Sequence, residues 1–226
     1  PDGLHAKIDA LASASPAAVI AALTPWLAGT HWLGGRLADA LALMAADPFS
    51  RPPLQPIGGG EGTGGLILVE RGAIRLSLQL HPFTCAAAAH STLFVPGAAA
   101  IRVVANGGAS IRRHHVGVRA AERAGDFSAA QAAPCRSGPP RALVMGEILH
   151  LDTTCESFTI GRASGDVMLL ELSVQPPSAL PVRTYDIASG RLTGVSAARR
   201  DGSFRQMALT LLRHHFNRHP DAYIAR

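Results

Sequence analysis

The chain has 226 residues and a mass of 23.5 kDa, with 47% hydrophobic and 16% charged residues. That balance supplies an ample core and excludes a disordered, collagenous or coiled-coil chain. No run approaches the ~18 apolar residues of a membrane span, so no membrane association is expected.

The formal net charge is +5, and all but Lys7 of the 21 basic residues are arginine. With so much alanine and glycine, this reads as the coding bias of a GC-rich bacterial genome rather than as phosphate binding. Much of the excess lies in 199–226, where six arginines face Asp201 and Asp221. Few aromatic residues lie near it to stack on bases, so nucleic acid is not an expected partner. Cys85, Cys135 and Cys155 are odd in number and widely spaced. That pattern argues against a disulfide framework or structural zinc and fits a reducing compartment. The opening Pro1-Asp2-Gly3-Leu4 lacks a signal-peptide pattern, and the expected location is the cytoplasm.

Before Pro48 the apolar residues recur at helical spacing. Leu4, Ile8 and Leu11 share one face of a first helix; Val19, Ile20, Leu23 and Leu27 share a second. Ser15 followed by Pro16 is a start signal for that second helix. A third, from about Thr30, carries Leu33, Leu37, Leu41 and Met44, and Asp47-Pro48 ends it. Trp26 and Trp32 read as anchors to a core, with a binding platform as the alternative. Residues 48–65 are proline-rich, then glycine-rich. The glycines follow prolines and open a strand, and no Gly-Lys-Ser/Thr is present. They therefore predict a linker and not a phosphate loop.

After Gly65 the period changes to two. Ile74, Leu76, Leu78 and Leu80 alternate with Arg75, Ser77, Gln79 and His81, the pattern of a half-buried strand. Further strands are predicted over 66–69, 92–95, 99–105, 109–118, 142–151, 156–162, 167–174, 182–187 and 191–196, with 120–140 as a long loop that has room for a helical turn. Asp201 or Ser203 can cap a closing helix, whose stripe is Phe204, Met207, Ala208, Leu211, Leu212 and Phe216. The predicted fold class is mainly β: an antiparallel β-sandwich or jelly roll with an N-terminal helical segment and a C-terminal helix. The expected layout is 1–47 helical segment, 48–65 linker, 66–197 β-sandwich and 198–226 basic helix.

No nucleophile motif is present, since G-x-S-x-G is absent and neither Cys135 nor Cys155 has a local histidine partner. His5, His31, His81 and His90 read as surface or capping residues. His215 and His219 have chelating spacing, but Phe216 stands where a zinc hydrolase helix carries glutamate, and arginines surround the pair. His114, His115 and His150 fall on predicted strands. Alternation sends one of His114 and His115 inward, and His150 shares a face with Val144 and Ile148. With Glu122 or Glu147 they are the pocket candidates, and His114 and His150 the candidate metal ligands. On strand parity Glu147 points away from His150. The bland alternative is a satisfied, partly buried histidine at a strand end.

Gly108, five residues on to His114, then Glu122 and Gly125, and the pair Gly146 and His150, resemble the two motifs of the cupin superfamily, an RmlC-like jelly roll, over about 65–174. The second histidine position of the first motif is Val116, His150 is one residue late, and the usual proline is missing. The resemblance implies a jelly roll whose members range from metal-dependent dioxygenases, isomerases and lyases to metal-free sugar-binding or sensor domains. The departures point to the metal-free end. The leading reading is a cupin-like protein that binds a small, unidentified molecule without a complete metal triad. The alternatives are a metal-dependent cupin enzyme, with a divalent metal as cofactor, and a protein–protein interaction module. Sparse surface charge and the appended helices predict a homodimer.

Overall fold

The computed structural model describes residues 2–47, 49, 52–58, 64–83 and 89–197. The predicted C-terminal helix, with His215 and His219, and Cys85 lie outside the described residues.

Three helices open the chain: α1 (Asp2–Ala10), α2 (Pro16–Ala28) and α3 (His31–Ala46). Ser15 Oγ accepts from Ala18 N at 3.3 Å, and Pro16 takes the first turn, where its missing N–H costs nothing. Leu4, Ile8, Val19, Ile20, Leu23, Leu27 and Leu33 are buried in one cluster. The stripe expected on α3 is only half realised. Burial along α3 stops at Ala40, leaving Leu41 and Met44 66% and 43% exposed.

The helices cover one face of a six-stranded antiparallel sheet of order β1-β2-β3-β10-β5-β8. Its strands are β1 (Gln55–Gly58), β2 (Gly64–Arg71), β3 (Ile74–His81), β5 (Ala98–Ala105), β8 (Ile148–Leu151) and β10 (Val167–Val174). Because β1 pairs antiparallel with β2, the segment read as a linker contributes an edge strand. The second layer holds β4 (Ser91–Phe94), β6 (Ser110–His115), β7 (Arg136–Ala142), β9 (Glu156–Ile160), β11 (Val182–Asp186) and β12 (Leu192–Ser196). It forms two three-stranded groups, β12-β11-β4 and β7-β6-β9. They meet where Thr92 Oγ1 on β4 donates to Ser157 Oγ on β9 at 2.8 Å. From β3 to β10 the chain passes between layers, with β3, β5, β8 and β10 in one and β4, β6, β7 and β9 in the other. That order is an eight-stranded jelly roll.

Two strand expectations need correction. The single strand predicted over 142–151 is broken between β7 and β8, where Gly146 adopts φ 83°, a left-handed turn no strand contains. Within 120–140 the expected helical turn is present as α4 (Ala120–Arg123), but 136–142 form a strand, β7, where only loop was expected. Pro139 and Pro140 hide β7 from a pattern search, yet an edge strand tolerates proline, and a register shift opposite Arg113 accommodates it.

Alternation on β3 is observed, but neither face is solvated along its centre. Ile74, Leu76 and Leu78 pack with Leu170, Leu172 and Val174 against the helices. Leu80, expected to join them, is 36% exposed beyond the reach of that cover. On the opposite face Ser77 is 2% exposed, because the second layer lies over it. Between the layers Ala99, Ile101, Val103, Leu149, Leu151, Val167 and Leu169 pack with Ile111, Phe158 and Ile160. Leu172→Ala should lower unfolding free energy by roughly 2–5 kcal/mol through lost burial and a cavity. Leu41→Ser, on the uncovered end of α3, should change it by less than about 0.5 kcal/mol. Urea unfolding of both variants checks this; equal effects would contradict the assigned core.

Candidate functional site

His114 is the buried member of its pair, at 1% exposure. Its Nδ1 lies 2.8 Å from Ser137 Oγ and its Nε2 2.9 Å from Thr159 Oγ1, so both ring nitrogens are engaged. Ile111 on the same strand belongs to the inter-layer core, and the β6–β9 register runs without a shift between them. Alternation therefore turns His114 away from the first sheet. Val116, on the same side, packs with Phe94, Tyr185 and Cys135 beneath Val118 and Ala133. His115 is exposed and lines a cavity of about 280 Å³ with Gly117, Ala133, Pro134 and Arg136.

His150 does not reach the interior. It shares its face of β8 with Ile148, which packs toward the helices, and lies exposed in a groove with Ala17, Ile20 and Ala21 of α2. Leu149 and Leu151 point inward instead. Glu147 takes two hydrogen bonds from Arg141, at 2.5 and 2.9 Å, and these chiefly hold its carboxyl below the usual range. Burial alone would raise Glu122. Hydrogen bonds from Arg119 N at 2.7 Å and Arg119 Nη2 at 3.1 Å outweigh it, and the net direction is down. The five candidates thus occupy separate places. Among the described residues no three of His, Cys, Asp and Glu converge as metal donors. The residues that the cupin resemblance nominates do not fit a metal, and no chemistry is derived through one.

Thiol chemistry is disfavoured as well. Burial, then the charge of Asp152, pushes Cys155 up to about 11, while its Sγ donates to Asp152 Oδ2 at 3.4 Å. Burial also raises Cys135. Both thiols stay protonated at neutral pH, and it is the thiolate that attacks.

The polar grouping that sequence reading passed over lies on the inner face of the first sheet. Ser77 and Gln79 on β3, with Glu171 and Ser173 on β10, project from the face opposite the helices; Ser77 pairs with Glu171 and Arg75 with Ser173. Gln79 Nε2 donates to Glu171 Oε2, and no other hydrogen bond to that carboxyl forms among the described residues. Burial pushes the Glu171 carboxyl up; the Gln79 bond and the charge of Arg75 offset this only in part. Glu171 is nevertheless half-buried rather than sealed. A signal existed: Glu171 interrupts the otherwise apolar 167–172 with an acid. Gln79 and Ser77 carried none, because they read as the wet side of a half-buried strand.

A second polar grouping lies across the other layer. Arg183, 1% exposed, donates through Nη2 to Thr154 O, and its guanidinium stands 5.8 Å from the Phe94 ring centroid. Tyr185 meets the same ring edge-on at 5.4 Å. Burial lowers Arg183 and raises Tyr185. This arrangement is a packed support, not a cleft.

The alternating passage of strands between two layers decides the architecture. The fold is cupin-like. Comparison with protein-family models and with curated proteins finds no match. Among solved structures the chain is similar to HutD from Pseudomonas fluorescens, at 11% identity over 55% of this chain and 58% of that one, with a TM-score of 0.34. It is also similar to a sugar phosphate isomerase of the cupin superfamily from Silicibacter pomeroyi, at 14% identity, 67% and 91% coverage and a TM-score of 0.38. A third is hydroxypropylphosphonic acid epoxidase from S. wedmorenis, at 10% identity, 53% and 55% coverage and a TM-score of 0.34. The chain spans less than two thirds of HutD and of the epoxidase. No residue role passes from these likenesses to this chain, because fold alone does not set function.

His114 yields a pH prediction. Burial first, and the charge of Arg112 second, hold its imidazole below the ordinary value. The unfolded chain therefore takes up the proton first as pH falls through ~6.5, and stability declines from there toward the lowered folded value. Histidine proton NMR should show the His114 ring still neutral at a pH where an unperturbed imidazole is half protonated. His114→Gln should flatten the acid-side loss of stability in urea unfolding. Titration of His114 at or above the ordinary value would contradict the assignment.

Proposed function

We propose that this cupin-like chain binds a small polar molecule inside the jelly roll, against the wall formed by Ser77, Gln79, Glu171 and Ser173, and without a metal triad. The observation that carries the reading is the Glu171–Gln79 pair on a sheet face that lies between two layers. A carboxyl withdrawn from bulk water is costly to keep, by about 1–3 kcal/mol where its hydrogen bonds are incomplete. A leucine there would pack against Ile101, its neighbour in register on β5. Polar groups retained at such cost are expected where they meet a ligand. Among the described residues the wall offers donors and acceptors, and Arg75 beside it is paired with Glu70 at 2.5 Å. It therefore suits a neutral molecule. His81, read from the sequence as a surface or capping residue, lies half-buried on the same face of β3, held below the ordinary histidine value by burial and opposite Val167 rather than Glu171.

A thermal-shift screen of neutral polyols and amides tests it. At 100-fold excess over Kd a true ligand adds about 2.7 kcal/mol of stability. At least one compound should raise Tm, and Glu171→Leu, whose apolar core should remain folded, should abolish the shift. A screen without hits, or a shift unchanged in Glu171→Leu, would overturn the reading. Stoichiometric iron, zinc, manganese or nickel in protein purified without a histidine tag would also contradict it.

A further inference from the structure

Away from the jelly roll, α1, α2 and α3 form a cavity of about 300 Å³ lined by Leu4, His5, Trp26, Trp32, Gly35, Arg36 and Asp39. Both tryptophans of the chain line it. Their positions are fixed: Trp32 Nε1 donates to Trp26 O at 2.9 Å, and both rings pack on the helix–sheet core. Arg36 is fixed as well, through Nη2 to Leu68 O on β2 at 2.9 Å. Its Nε is shielded from solvent and has no hydrogen-bond partner. Arg36 meets the cavity as one of its lining residues.

Gly35 also lines the cavity, while Gly34 beside it is equally open and does not. Glycine inside a helix is unfavourable relative to alanine. A Cβ at Gly35 would meet nothing within 4 Å, so no packing contact demands its absence. What a side chain there would do is fill the cavity. Asp39, one turn further along α3, shares that helix face and brings a carboxylate to the exposed rim.

We propose that this cavity binds a small aromatic zwitterion, its ring against the Trp26 and Trp32 indoles, its carboxylate accepting from Arg36 and its ammonium facing Asp39. Flat apolar walls with two opposite charges at set positions are what such a molecule requires. The volume, near the lower end for ligand pockets, restricts the ring system to one or two rings.

The chain's only two tryptophans make their fluorescence a direct reporter of this cavity. Titration with 4-nitrophenylalanine, whose nitroaromatic ring quenches indoles on contact, should give saturable quenching. Gly35→Leu, which raises helix propensity and should leave Tm unlowered, is expected to raise Kd at least tenfold by filling the cavity. Arg36→Gln should raise Kd to a similar extent, and 4-nitrotoluene, which lacks both charges, should bind at least tenfold more weakly than the amino acid. Linear, non-saturating quenching, or an unchanged Kd in Gly35→Leu and Arg36→Gln, would overturn the proposal.

Discussion

The pairing of β3 with β10 is the contact on which the rest of the molecule depends. These two strands are central in the first sheet and are covered on both faces over most of their length. Leu76, Leu78, Leu170 and Leu172 present one apolar face, and burying each contributes about 1.5–3 kcal/mol. The three helices exist as an ordered cover because that face must be removed from water. Short helices of this length are marginal alone, and their stability comes from tertiary packing.

The other face of the same pair has a different composition. Toward β5 and β8 it is apolar and closes against Ile111, Phe158 and Ile160. Toward β3 it turns polar, with Ser77, Gln79, Glu171 and Ser173 in register. The inner face of this sheet is thus apolar toward β5 and β8 and polar toward β3. The second layer places its own buried polar residues outward: His114 against Ser137 and Thr159, and Arg183 against Thr154 and Phe94. His114 is satisfied within that layer, whereas Arg183 keeps one hydrogen bond, to Thr154 O, and its Nε has no partner among the described residues.

Much of the architecture was legible in the residues. Period-two alternation located β3, and the turn signals Asn106-Gly107-Gly108 and Pro96-Gly97 bounded β5 correctly. At Gly107 φ is 51°, and a Cβ would come within 2.1 Å of Gly165 O. The jelly roll was anticipated. What pattern reading missed has physical causes. β7 carries Pro139 and Pro140 and is exposed throughout, so it shows neither alternation nor apolarity. Burial of Ser77 arises from a second layer that no local period reports. The site reading placed His114 and His150 together because strand parity says which residues share a face but not which face turns inward. Ile111 and Ile148 decide that, through the neighbours each packs against.

The central claim is that Glu171 stands between the layers, withdrawn from bulk water, on a wall built for contact with a ligand. Carbon-13 NMR of the glutamate carboxyl groups, with Glu171→Gln to assign the resonance, measures its titration directly. The account predicts a midpoint above the ordinary glutamate range, because burial outweighs the Gln79 bond and the Arg75 charge. A midpoint at or below that range would place the carboxyl in bulk water or in a full ion pair, and would contradict the interior wall.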